Sequence, residues 1–353
     1  MKLGKNKMIL GVLIVSIMSG VVGCAKKESD AVGKPDEEES YEDTSADNIL
    51  ESDLSETEEG REQNAEYPDP VLFPETFAFE YEVWQKNSTQ IKTPGGILPV
   101  GDMVLVCDTG NHCVVRLTTE GVFVESYGEL GSESGNFIEP TALLFYEDEI
   151  YVLDSGNRRI QVFDKTMQFD REIPFEASLK ESQKYVDMAI DGDETIYLVA
   201  DSPYREESGL FYIEDGALCR IPCDFSGYLA EQDGVVYAVD TWQFYTAENG
   251  YGKRPGENWL YEVGKSELKK VCELPYMYAP MDFIVSGEEL YTVSTVWGEM
   301  NRVSKDGELL EALFYIEGIQ AHNIYVGMQD ENTFYVADTK GYLYKVIRAE
   351  GEQ

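Results

Sequence analysis

One short pattern, an apolar strand closed in most copies by an acidic residue, returns six times along this chain and limits its fold more than any other feature. Val104-Leu105-Val106-Cys107-Asp108-Thr109-Gly110-Asn111 recurs as Ile150-Tyr151-Val152-Leu153-Asp154-Ser155-Gly156-Asn157. Looser copies stand at Ile196-Tyr197-Leu198-Val199, Val236-Tyr237-Ala238-Val239-Asp240, Leu290-Tyr291-Thr292-Val293 and Phe334-Tyr335-Val336-Ala337-Asp338. The steps from Leu105 through Tyr151, Tyr197, Tyr237, Tyr291 and Tyr335 are 46, 46, 40, 54 and 44 residues. A period of that size marks a stacked or radial array, because one unit alone cannot bury its apolar face.

Within each unit an apolar strand (142–146 in the second copy) meets a polar turn, then a continuously apolar strand (150–153), a Gly/Asn turn, a third strand (160–163) and a more polar fourth one. A strand apolar on both faces is buried on both, as in stacked sheets. Four strands per unit of this length fit a propeller blade. The ends of the chain favour a closed ring over a solenoid. The last third strand, 342–347, is followed by six residues, so the sixth unit lacks a fourth strand of its own. The alternating segment 77–84 precedes the first unit and supplies the missing strand, which also removes an open edge. The expected fold is all-β, a six-bladed β-propeller over residues 68–353 closed by an N-terminal strand.

The first two units resemble the NHL repeat. The residues that carry the likeness are Asp108-Thr109-Gly110-Asn111-His112-Cys113-Val114-Val115-Arg116, its counterpart 154–163, and the connector Tyr127-Gly128-Glu129-Leu130-Gly131 with Gly135-Asn136-Phe137 and Pro140. The match covers roughly 97–165, and the later units keep only the architecture. In this turn the Asp and Asn are expected to hold the hairpin through nearby backbone groups rather than to bind metal.

Ahead of the repeats lie two segments of another kind. Lys2, Lys5 and Lys7 precede an apolar run from Met8 to Val22 that ends Val21-Val22-Gly23-Cys24. The run is short for crossing about 30 Å of hydrocarbon but fits a signal-peptide core. Its ending resembles the bacterial lipoprotein signal, which implies cleavage after Gly23 and a lipid on Cys24. Residues 1–23 are therefore expected to be a signal peptide, and the location to be extracytoplasmic, lipid-anchored on the cell membrane. Residues 25–67 hold 16 acidic and 4 basic residues, too polar to form a core. With Cys24 they read as a disordered acidic tether over 24–67. The five remaining cysteines, Cys107, Cys113, Cys219, Cys223 and Cys272, are odd in number, so at least one stays unpaired in a single chain. Cys107 with Cys113, and Cys219 with Cys223, lie near enough in sequence to pair.

The formal net charge is −39, and residues 68–353 carry −30 of it. Nucleic acid and anionic lipid surfaces both attract basic proteins, so the expected membrane link is the lipid anchor only, with no nucleic-acid partner. Two histidines, His112 and His322, are too few for the several-histidine zinc site that the NHL resemblance brings to mind through the peptidyl amidating lyase.

In a propeller the loops leading into first strands and those joining second to third strands share one face. Aligned on the repeat, the first group carries Gly95, Thr141, Asp187, Tyr228, Asp282 and His322-Asn323, a polar ring at the channel mouth. The second group adds aromatics, among them Trp242, Tyr251 and Trp297. Polar groups beside aromatic platforms suit a ligand held by stacking and a few hydrogen bonds. The leading expectation is a monomeric binding module for a protein, peptide or glycan at the cell envelope, with no catalytic residue. The alternative is a calcium-dependent, lactonase-like hydrolase in which Asp187, Asp282 and Asn323 hold the metal. A scaffold contacting another envelope protein through the same face is the third reading.

Overall fold

Apolar residues that alternate between two neighbours dictate the architecture. The second strand of the first unit, Met103–Asp108, is buried along its whole length. Val104 and Val106 pack with Tyr335 and Ala337 of the last unit. Met103, Leu105 and Cys107 pack with Ile150 and Val152 of the second. A sheet that is apolar on both faces needs a partner on each side, and repetition of that demand closes a ring. Each fully buried Val, Leu, Ile or Phe contributes about 1.5–3 kcal/mol.

The computed structural model describes residues 77–85, 91–175, 183–202, 207–241, 244–246, 253–255, 258–274, 280–294, 298–316 and 323–349. Six four-stranded antiparallel sheets form a six-bladed β-propeller. The innermost strands are Pro94–Val100, Pro140–Tyr146, Lys184–Ile190, Gly227–Gln232, Pro280–Ser286 and Ile324–Asp330. Each of them packs against the innermost strands of both neighbours, so together they wall a central channel. Blade 4 carries an extra two-stranded hairpin, Phe244–Thr246 with Lys253–Pro255, which accounts for the longest step in the repeat. The expected signal peptide, Cys24 and the tether lie outside the described residues. Among the described residues no helix is long and apolar enough to cross a membrane.

The ring closes through its ends. Phe79–Gln85 pairs antiparallel with Tyr342–Arg348, from Phe79 opposite Arg348 to Gln85 opposite Leu343, and completes blade 6. The Phe79 ring meets Phe334 edge-on at 5.6 Å, and Trp84 lies 5.0 Å from Tyr335. Trp84 also covers Gly121 of blade 1, where the indole leaves no room for a β-carbon and the backbone lies at φ +78°. The closing strand thus binds blade 6 and touches blade 1.

The turn aspartates do structural work. Asp108 accepts the N–H groups of Lys92 and Asn111 at 3.1 and 3.2 Å and the Asn111 amide at 2.6 Å. Asp154 accepts from Ile138 N–H, Asn157, Arg159 and Gln161 at 2.7 to 3.1 Å. One carboxylate therefore ties the second-to-third turn to the segment leading into the first strand, which places both on one face. Arg159 reaches on to Glu172 and to the carbonyls of Glu133 and Asn136, and so pins the glycine-rich connector. His112 sits in this turn region with φ 60° and accepts the Glu139 N–H at 3.1 Å.

The five described cysteines are all free thiols. Cys107 and Cys113 cannot meet: Cys107 opposes Val114 while Cys113 opposes Asp108, which sends their side chains to opposite faces of the sheet. Cys107 belongs to the core shared with blade 2 and Cys113 to the core shared with blade 6.

A chain lacking residues 68–90 should lose cooperative unfolding in urea, and a normal single transition would refute closure by this strand. Phe79→Ala should lower stability by about 3–5 kcal/mol, read from urea midpoints.

Candidate functional site

The channel is where the sheets bring polar side chains together. Its cavity, about 300 Å³, is walled by all six innermost strands and lined by Gly96, Ala142, Asp187, Tyr228, Asp282 and Tyr325 among others. Blades 1 and 2 offer small residues, and blades 3 to 6 alternate aspartate with tyrosine.

Local backbone geometry explains the alternation. Blades 3 and 5 have a β-bulge in the innermost strand, between Tyr185 and Asp187 and between Pro280 and Phe283. A bulge leaves ladder groups unpaired and re-aims a side chain. Asp187 accepts the N–H of Met188 at 2.9 Å on one oxygen and that of Leu229, in blade 4, at 2.7 Å on the other. Asp282 repeats this with Phe283 at 2.8 Å and with Val326 of blade 6 at 2.7 Å. Each carboxylate is thus a clamp between adjacent blades as well as a channel-lining group. Blades 4 and 6 run without a bulge at this level, with Tyr228 opposite Val239 and Tyr325 opposite Ala337. The two tyrosine rings meet edge-on at 6.1 Å, and the Tyr325 hydroxyl lies in hydrogen-bonding range of Tyr228 and Asn323.

The electrostatics follow from enclosure. Both aspartates are half-buried and line the channel, and burial pushes their carboxyls up. Asp187 is raised well above the usual carboxylate range by burial and by the charge of Asp282, which its backbone hydrogen bonds offset only in part. Asp282 is raised to about 7 by burial. Burial likewise lifts the Tyr228 and Tyr325 phenols, so both stay neutral. A charge on Asp282 disfavours a second one on Asp187, so the two carboxyls resist joint ionisation. Such a pair attracts a cation or a donor-rich group, and can exchange a proton.

Of the residues nominated from sequence, Asp187, Tyr228 and Asp282 share this channel. Thr141 lies in the blade 2 bulge beside it, its buried hydroxyl without a partner among the described residues. Asn323 is exposed, just before the innermost strand of blade 6, and reaches the site through Tyr325. Trp242, Tyr251, Trp297 and His322 lie outside the residues whose side chains are described. Tyr325 escaped the sequence reading. Counting back from the aspartates that close the second strands, Asp240 and Asp338, makes it the counterpart of Tyr228. Among the described residues no group of three His, Cys, Asp or Glu side chains could hold a metal ion.

No protein-family model matches the chain, and no curated protein matches it at a significant level. Solved structures match in fold. A calcium-binding protein, regucalcin, from Agrobacterium tumefaciens is 12% identical with a TM-score of 0.55, the match covering 78% of this chain and 96% of that one. A luciferin-regenerating enzyme is 11% identical with a TM-score of 0.55, over 77% of this chain and 96% of the other. Virginiamycin B lyase from Staphylococcus aureus is 12% identical with a TM-score of 0.50, over 76% and 99%. Identities this low carry the six-bladed fold and no more.

The raised carboxyls make stability pH-dependent with a defined sign. A carboxyl whose folded pKa exceeds its unfolded one stabilises while protonated, and that contribution is lost as pH rises through the folded value. For Asp282 the window runs from the model-peptide value of 3.8 to about 7. Asp187→Asn with Asp282→Asn should lose a backbone acceptor at each position, yet flatten the decline of the urea midpoint between pH 4 and pH 8. An unchanged slope would show that these two groups do not carry it.

Proposed function

We propose that this chain is an extracytoplasmic binding protein, held to the membrane by a lipid on Cys24, whose propeller presents an acidic channel to a donor-rich ligand group. The observation that carries the reading is the Asp187–Asp282 pair, two mutually repelling carboxyls walled by the hydroxyls of Tyr228 and Tyr325. An ammonium, or the clustered hydroxyls of a sugar, relieves that repulsion and satisfies the remaining carboxylate lone pairs. A peptide amine or an amino sugar fits this chemistry, while a polyanion is repelled. Trp242, Tyr251 and Trp297, nominated from the sequence alone, are the aromatics this reading assigns to a peptide or glycan. The chain acts as a monomer.

Two measurements test this. Replacing Cys24 by Ala should release the protein from the membrane fraction, and continued retention would refute the anchor. Binding of amino-sugar oligomers and short cationic peptides to the full chain should fall at least tenfold in Asp187→Asn with Asp282→Asn. Equal binding by the two proteins would exclude the channel as the site.

A hydrolase is the second reading, favoured by the Asp282 carboxyl at about 7, a suitable value for a general acid or base near neutral pH. Calcium fits the channel in part: Asp187 and Asp282 offer two carboxylates, and a divalent ion would offset their repulsion, with Asn323 as a further oxygen. Against this, all four carboxylate oxygens already hold backbone N–H groups. Calcium-dependent opening of simple aldonolactones, abolished in Asp282→Asn, would establish this activity, and no turnover above the uncatalysed rate would exclude it.

A further inference from the structure

Blade 5 departs from the other blades on the face it turns toward blade 4. The second strands of the other five end in Asp108, Asp154, Asp201, Asp240 and Asp338, whereas that of blade 5 ends in Ser294. Its third strand opens Glu299-Met300-Asn301, with Thr292 opposite Asn301 and Ser294 opposite Glu299. Alternation puts these four polar side chains on one face. The intervening Val293 and Met300 enter the core shared with blade 6, and Leu290 and Val303 enter the one shared with blade 4. The polar four therefore continue the blade 4 side.

All four are buried, at 1% exposure for Thr292, 0% for Ser294, 2% for Glu299 and 1% for Asn301. The Asn301 amide donates to one Glu299 oxygen at 2.8 Å. Among the described residues the other Glu299 oxygen and the Asn301 side-chain oxygen have no partner. Across the seam, at the same end of blade 4, the hydroxyl of buried Thr241 is also unpartnered among the described residues. Burial holds the Glu299 carboxyl above its ordinary range, and the Asn301 hydrogen bond offsets only part of that. Leaving a buried acceptor unsatisfied costs about 1–3 kcal/mol, and more for a charged group. Proteins rarely leave such groups bare. The nearest arginine in sequence, Arg302, is committed to Glu289 and Glu311.

We propose that Glu299 and Asn301 form the core of a cation site in the seam between blades 4 and 5, distinct from the channel carboxyls. The open positions are all oxygen, from the Glu299 carboxylate, the Asn301 carboxamide and the Thr241 hydroxyl, which selects a hard cation over a soft one. Calcium suits the set because it accepts 6–8 oxygens of mixed charge in flexible geometry, whereas magnesium demands a stricter shell (distances about 2.3–2.6 Å against about 2.0–2.1 Å). With a single carboxylate the site falls in the weak class, a dissociation constant of about 10⁻⁴–10⁻³ M. Filling it joins two blades, so the ion stabilises the ring by mass action.

The test uses the full chain, freed of metal with a chelator and titrated with calcium chloride alone, followed by thermal unfolding and calorimetry, with magnesium chloride in parallel. Calcium should raise the melting temperature with half effect at about 0.1–1 mM, and magnesium should do less. Glu299→Gln should abolish the response. Asn301→Asp, which adds a second carboxylate, should tighten binding about tenfold, equivalent to 1.4 kcal/mol. Asp187→Asn with Asp282→Asn should leave the response in place. No calcium response in the wild-type chain, or an unchanged one in Glu299→Gln, would overturn the proposal and leave a water between the two oxygens as the occupant. A response lost only in the channel double variant would assign the ion to the channel and overturn it equally. Should Glu299→Gln not fold, the outcome rests on Asn301→Asp, for which unchanged affinity counts against the site.

Discussion

Everything in this molecule depends on a ring that must be shut by pairing its two ends. Blades bury apolar surface only against neighbours, so an open row of six would leave two faces wet. Phe79–Gln85 supplies the outer strand of blade 6 while Trp84 reaches Gly121 in blade 1. The last blade is thereby built from both ends of the propeller, and its assembly waits for the first and last segments to meet. Such non-local pairing slows folding, yet it gives the closed ring a cooperative lock that local hairpins lack.

Within the ring, carboxylates are the recurring fasteners. Asp108 and Asp154 hold loops to the sheet they belong to, and Asp187 and Asp282 hold one blade to the next. The difference lies in the supply of counter-charge. Asp154 has the Arg159 guanidinium at 2.9 Å in a buried setting, whereas the channel pair has backbone N–H groups and neutral tyrosines about it and no cation among the channel-lining residues. The same residue type is therefore a settled structural group in the turns and a strained one in the channel. Strong acidity across residues 68–353 adds to that strain, and it sets the sign of any ligand the channel welcomes.

The fold was legible because its information is periodic. Six copies of a two-faced strand imply stacked sheets, and the missing last strand pointed to the spare one near residue 80. The site was less so, because bulges break the count. Asp187 and Asp282 emerged from polar identity in an apolar run. Tyr325 did not, since the bulges at Tyr185 and Pro280 and their absence in blades 4 and 6 shift first-strand positions against one another. Glu299 and Asn301 were invisible for another reason. Polar residues at a strand start read as surface, and only their place between two sheets makes them buried. Sequence proximity equally left open the pairing of Cys107 with Cys113, which strand parity forbids.

The channel clamps join two roles that most proteins keep apart. The oxygen of Asp187 that holds the Leu229 amide and the oxygen of Asp282 that holds the Val326 amide belong to carboxyls whose charged forms disfavour one another in the channel. A carboxylate is a stronger acceptor than a carboxylic acid. Each ionisation therefore tightens one inter-blade bond while adding repulsion across the lumen, and each neutralisation reverses both. The exchange rates of those two amide hydrogens become an internal gauge of channel charge, a record written in the backbone rather than in the ligand.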